Sequence, residues 1–398
     1  MQPADSSQVS QRPRFPALDP EPPPRLWRGV VAALMVLLAG LASWLGYSVS
    51  RTAPHHSTAA SAPPFHGLVG VVLAETPSSY LSETDLRTGQ VVVVKSLGQF
   101  SSEPGPAVTP DDRYMFDAAV GRLVSLSSLA HLETVPNGLS FIPGSMPGFM
   151  ADPWSDHDAG VVELSFPLGA GGIPSPIPVA IVETVRTGSA ISLGPADSAG
   201  GDPQQEGAFI AVPGTGKPLS NGSQPDAEVV LADAGSRPVL LATTSQLERA
   251  LGIEDGTAVS LVPIPNPQGS MVAVWISSID GSSSGVVVLS RNGALLGSQP
   301  LGVGWAGWSH SGRTLAFVRY NTAGPELIEW TIGLRSVETA LRGTSRRGPT
   351  TCTWSPDDTT VLCDGGPLGR WLVIRSGASS VMAGQGQPLV WTSGRLGR

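Results

Sequence analysis

A ten-residue pattern recurs in the last third of this 398-residue chain. Trp308-Ser309-His310-Ser311-Gly312-Arg313-Thr314-Leu315-Ala316-Phe317 and Trp354-Ser355-Pro356-Asp357-Asp358-Thr359-Thr360-Val361-Leu362-Cys363 each hold an aromatic, a polar turn and an apolar run. Proline presets φ for a type I turn, Asp and Ser bond nearby amides, and Gly accepts positive φ. Each stretch therefore reads as strand, tight turn, strand. With the aromatic or its equivalent as first position, further copies begin at Val108, Trp154, Gly201, Pro265 and Trp391. A recurring unit of about 45 residues holding several short strands marks a repeat architecture.

The Gly201 copy is the most degenerate, and the interval after it is the longest. Within that interval Ser245-Gln246-Leu247-Glu248-Arg249-Ala250-Leu251 reads as an inserted helix with a Ser N-cap and Leu at i and i+4. The end of the chain, Gln387 to Thr392, supplies only a first strand. Residues 67–96 hold the three strands that it lacks, so the ring is expected to close across the termini. Closure removes the exposed edges of an open β array. With 48 Gly, 37 Pro and 14% charged residues, composition also favours many short strands joined by turns. The expected fold is all-β, a seven-bladed β-propeller over 66–398; six or eight blades would follow if the Gly201 unit is mis-set.

The quoted turns resemble those of the TolB-like, or PD-repeat, β-propellers, relatives of WD-repeat proteins with a W-S-P-D-G turn before an apolar strand. The likeness spans roughly residues 65–395 and is close at 108–116, 265–274, 308–317 and 354–363. Trp354-Ser355-Pro356-Asp357-Asp358 lacks the Gly, and Trp308-Ser309-His310-Ser311-Gly312 lacks the Pro and Asp. The resemblance implies an extracytoplasmic binding scaffold working through the faces or channel of the ring.

Upstream, Gly29 to Ser50 carries no charge for 22 residues. As a helix at about 1.5 Å per residue it matches the hydrocarbon thickness of a bilayer, roughly 30 Å. Trp27, Trp44 and Tyr47 lie where interfacial aromatics belong. Arg12, Arg14, Arg25 and Arg28 precede this segment and only Arg51 follows closely, so the positive-inside rule puts the N-terminus in the cytoplasm. The expected layout is a disordered cytoplasmic tail (1–28), a transmembrane helix (29–50), a flexible tether (51–65) and an extracytoplasmic propeller.

The net charge of −8, without basic runs, argues against nucleic acid as a partner. Asp152, Asp156 and Asp158, with His157 between the last two, could offer oxygen ligands to a hard cation. The same string coincides with a repeat turn, where Asp caps backbone amides, so the metal assignment is a weak candidate. If Trp354 pairs with Val361, Cys352 stands opposite Cys363; a disulfide and two buried thiols are both open readings. Gly281-Ser282-Ser283-Ser284-Gly285 matches G-x-S-x-G, but an apolar strand follows it where a nucleophile elbow needs a helix. No catalytic set and no cofactor is expected. The leading function is a membrane-anchored scaffold that binds an envelope protein or peptide. The alternative is a propeller hydrolase or lyase using channel carboxylates or a bound cation.

Overall fold

The computed structural model describes residues 68–394 with breaks, the longest at 97–106, 135–144, 168–176 and 215–226. The tail, span and tether expected over 1–65 lie outside the described residues. Among the described residues no helix is long and apolar enough to cross a membrane.

Each repeat start lies at or next to the end of a strand. These strands are Ala107–Val108, Ala151–Trp154, Ser198–Gly201, Ala258–Pro265, Gly302–Trp308, Cys352–Trp354 and Gln387–Thr392. Each begins one antiparallel sheet, and seven such sheets form among the described residues. Six have four strands; in the Trp154 sheet a fifth, Ser145–Met146, also pairs with Gly160–Pro167. The register repeats as well: Val108 faces Met115, Pro265 faces Val272, Trp308 faces Leu315 and Trp354 faces Val361. Gly201, the degenerate copy, keeps the same offset and faces Ala208.

The termini share a sheet. Gln387–Thr392 pairs antiparallel with Val71–Glu75, setting Trp391 opposite Val72 and Val390 opposite Leu73. Tyr80–Asp85 and Val91–Ser96 complete that sheet. Every consecutive pair of sheets is in contact through at least one first strand, including the closing sheet with those before and after it. The fold is a closed β-propeller.

The core lies between the sheets. Leu315, Phe317 and Trp330 of the Trp308 sheet pack with Ala273, Val286 and Val288 of the Pro265 sheet. Leu362, Trp371 and Val373 pack with Val72, Ala74 and Trp391 across the closing junction. Strands so buried carry consecutive apolar residues, such as the Val286-Val287-Val288-Leu289 run, because both faces meet a neighbour.

The inserted helix is Thr244–Leu251. Its cap is Thr243 and not Ser245, because Thr243 is still extended and forms a capping box with Gln246. Leu247 and Leu251 bury against Phe209, Val229 and Val274. A Cβ on Gly285 would lie 2.6 Å from Leu251 Cδ2. The second glycine of the G-x-S-x-G string thus serves close helix packing; Ser283 lies outside the described residues.

Trp391 joins the ends of the chain through packing and through Nε1, which donates to Val69 O at 3.0 Å. Trp391→Ala is expected to cost about 3–5 kcal/mol, the usual penalty for emptying a large aromatic site, as read by urea denaturation.

Candidate functional site

Successive strands run in opposite directions, so the turns after the first and third strands of every sheet lie at one end of the ring. This end, called the turn end below, is built by a common local rule. Second-position residues Asp202, Asn266, Ser309 and Ser355 are buried. In each of these turns their N–H donates to the seventh residue's carbonyl, and the fifth residue's N–H donates back to their carbonyl. Their side chains accept further amides: Asn266 from Met271 N, Ser309 from Thr314 N, and Ser355 from Thr359 and Thr360 N. In three of the four turns the fifth position takes the left-handed conformation, with φ of 61° at Gly269 and 63° at Gly312. Asp358 occupies it in the Trp354 turn at φ 56°, against the usual steric preference.

Asp358 is held there by the neighbouring turn. Its carboxylate accepts His310 N at 2.7 Å and Ser311 N at 2.9 Å, with His310 Nδ1 3.3 Å away. Other turns are tied in the same sense. Gln204 Nε2 donates to Gln268 O at 2.6 Å, Gln268 Nε2 to His310 O at 2.8 Å, and Asn266 Nδ2 to Gly312 O at 3.2 Å. Trp308 and Trp354 add indole bonds to Ile264 O and Gly307 O of the preceding sheet. Four consecutive turns, from Gly201 to Trp354, therefore form a hydrogen-bonded belt.

The belt opens at the next junction. A cleft of about 220 Å³ separates the Trp354 turn from the closing sheet. Leu68, Val69, Pro356 and Trp391 give it apolar walls, and Asp357, Thr359 and Arg375 give it polar groups. The Ser355 hydroxyl, donating to Asp357 Oδ1 at 2.6 Å, holds that carboxyl below its usual range, with Thr359 assisting. The cleft thus presents an ionised carboxylate and a guanidinium on one pocket rim. That combination suits a chain segment with polar and apolar groups, such as a peptide.

A second polar cluster ties the Gly201 sheet to the Pro265 sheet. Buried Asp202 accepts two bonds from Arg291, at 2.8 and 2.6 Å, and Arg291 also donates to Gly269 O. Asp233 stands beside this pair, and its Oδ1 is buried without a hydrogen-bond partner. Burial raises its pKa, the Asp202 charge adds to the rise, and Arg291 offsets part of it.

The residues singled out from sequence fall elsewhere. Asp152 lies in the strand Ala151–Trp154, paired with Val162. Asp156, His157 and Asp158 lie outside the described residues. No group of three or more His, Cys, Asp or Glu suited to a metal occurs among the described residues. Cys352 and Cys363 face each other in register with Cα atoms 4.0 Å apart and are joined by a disulfide. The Asp202–Arg291 pair and the cleft escaped sequence reading because their parts are far apart along the chain.

No protein-family model matches this chain, and no curated protein matches it. Solved structures do. An oligogalacturonate lyase from Vibrio parahaemolyticus aligns at TM-score 0.50 and 12% identity, over 76% of this chain and 90% of that one. The β-propeller domain of the Trilobed protease from Pyrococcus furiosus aligns at 0.48 and 8%, over 78% and 88%. TolB from Acinetobacter baumannii aligns at 0.38 and 15%, over 83% and 67%. At 12% identity the likeness to the lyase concerns fold alone. The class defined by ring and turns is the β-propeller.

Asp358→Ala removes the carboxylate ties but keeps a side chain in the left-handed region, whereas Asp358→Gly removes them and relieves that region. Both should destabilise, the alanine variant by about 1 kcal/mol more, as compared by thermal and urea unfolding. Asp233 has a folded pKa above its ordinary 3.8, so folding takes up protons and stability falls as pH rises from that value through the raised one. Asp233→Asn should flatten this loss and be more stable than wild type at neutral pH. The advantage should vanish below the ordinary carboxyl value, as read from Tm across a pH series.

Proposed function

We propose that this chain is a single-pass membrane protein carrying an extracytoplasmic, seven-bladed propeller that binds another envelope protein or a peptide in the seam cleft. The observation that carries the binding site is the contrast at the turn end: the belt ties neighbouring turns together up to Trp354, and the next junction is a cleft. A rigid frame beside an open, mixed-polarity pocket lowers the ordering cost of capturing a flexible segment. The uncharged run 29–50 and the arginines before it support the anchor and its orientation. In this layout 1–28 is the cytoplasmic tail, 51–65 the tether and 66–398 the propeller. The Cys352–Cys363 bond suits an oxidising compartment outside the membrane.

The test is site-specific photocrosslinking in living cells. A crosslinker at Thr359, on the cleft, should trap a discrete partner that Asp357→Arg abolishes, while one at Tyr320, at the opposite end of its sheet, should not. Protease added to wall-stripped cells should remove the propeller. Equal trapping at Thr359 and Tyr320 would sink the cleft assignment, and protection from protease would sink the topology. A stoichiometric metal that is lost in Asp156→Ala/Asp158→Ala would support the hydrolase or lyase alternative.

A further inference from the structure

The turn end carries a second pattern, outside the cleft. Val91, Val239, Leu240, Leu295 and Leu334 lie in or just after the turns between third and fourth strands, at the outer rim. With Val69, on the cleft wall, they stand 45–67% exposed. Among the described residues, exposed large apolar residues at the opposite end are fewer, Tyr80, Ile177 and Tyr320, and two of them carry a hydroxyl. Three of the four sheets involved are consecutive, and exposure continues along two of the outer strands at Val92, Val93 and Leu296; apolar exposure repeated on neighbouring sheets is a feature of interaction surfaces.

Charge narrows the partner. Arg87, Arg237, Arg313 and Arg375 are exposed on this same end. Among the described residues there, Asp357 is exposed on the cleft, and three other carboxylates are engaged by the protein: Asp85 accepts the Arg87 and Thr88 amides, Asp202 pairs with Arg291, and Asp358 joins two turns. Aliphatics interleaved with arginines match a lipid interface, where alkyl groups sit below the headgroups and guanidinium binds phosphate. Chain connectivity points the same way. Residues 51–67 follow the uncharged run and join the fold at Leu68, on the turn end.

We infer that the turn-end rim rests on the headgroup layer of an anionic bilayer, with its aliphatic residues inserted and its exposed arginines on lipid phosphates. This rests on the anchor in the reading above and not on the occupancy of the cleft. The cleft opens among the inner turns, so its ligand lies close to the bilayer surface.

The test uses the full-length protein in vesicles of phosphatidylcholine with about one-third phosphatidylglycerol. A nitrobenzoxadiazole label is placed at Leu295→Cys or, as control, at Tyr320→Cys, and is quenched by spin-labelled lipid. Quenching at 295 should exceed that at 320 by about twofold or more and should fall in Arg87→Glu/Arg237→Glu and at high salt. Equal quenching at the two positions would overturn the rim contact while leaving anchor and cleft standing. So would quenching at 295 weaker than at 320, or protection of 295 that appears only when an envelope protein extract is added, which assigns the surface to a protein. Failure of the chain to float with the vesicles would overturn rim and anchor together.

Discussion

The pairing of Gln387–Thr392 with Val71–Glu75 is the interaction on which the other contacts depend. A propeller sheet packs only on its neighbours, so an open array leaves two outer sheets half-covered. Joining strands more than 300 residues apart carries a loop-closure cost that rises only logarithmically with length. The return is a whole interface, in which Val72, Ala74 and Trp391 cover Leu362, Trp371 and Val373. Further round, Val390 and Leu73 cover Met115 and Leu126. Closure therefore fixes both neighbours of the last sheet and, through them, the spacing of the turns around the ring.

That spacing lets short polar side chains act across sheets. Gln268 reaches His310 O and Asp358 reaches the His310 and Ser311 amides only because each turn adopts the same shape at the same height. The arrangement explains a departure from the W-S-P-D-G pattern. Asp at the fifth position gives up the conformational ease of glycine, and its carboxylate gains two backbone donors from the adjacent turn. Charge-assisted bonds of this kind outweigh a left-handed backbone cost of about 1–2 kcal/mol.

The fold was legible where chemistry is local. Turn residues at fixed offsets predicted strand ends, and the incomplete last unit predicted closure across the termini. The Gly201 unit read poorly for a steric reason. A Cβ on Gly200, one position before the repeat start, would meet Pro263 O at 2.6 Å, so close approach of the neighbouring sheet holds a glycine there and blurs the pattern. Asp202 then replaces Ser at the second position and is paired by Arg291, 89 residues away. The helix cap was misassigned because Ser245 suits a cap by type, while the Thr243–Gln246 capping box decides it by geometry. The cleft was invisible in sequence, since Leu68, Asp357, Arg375 and Trp391 meet only once the ring is closed.

The cleft and the rim share one end of the ring. Both lie at the turn end, where Leu68 on the cleft wall leads into the second strand of the closing sheet. Under the proposed bilayer contact, the cleft would meet only segments that run along the membrane surface. Recognition would then become a search in two dimensions, which raises the effective concentration of such segments without any new contact. A modest pocket of about 220 Å³ can suffice under that constraint, where the same pocket facing bulk solvent would hold a peptide only weakly.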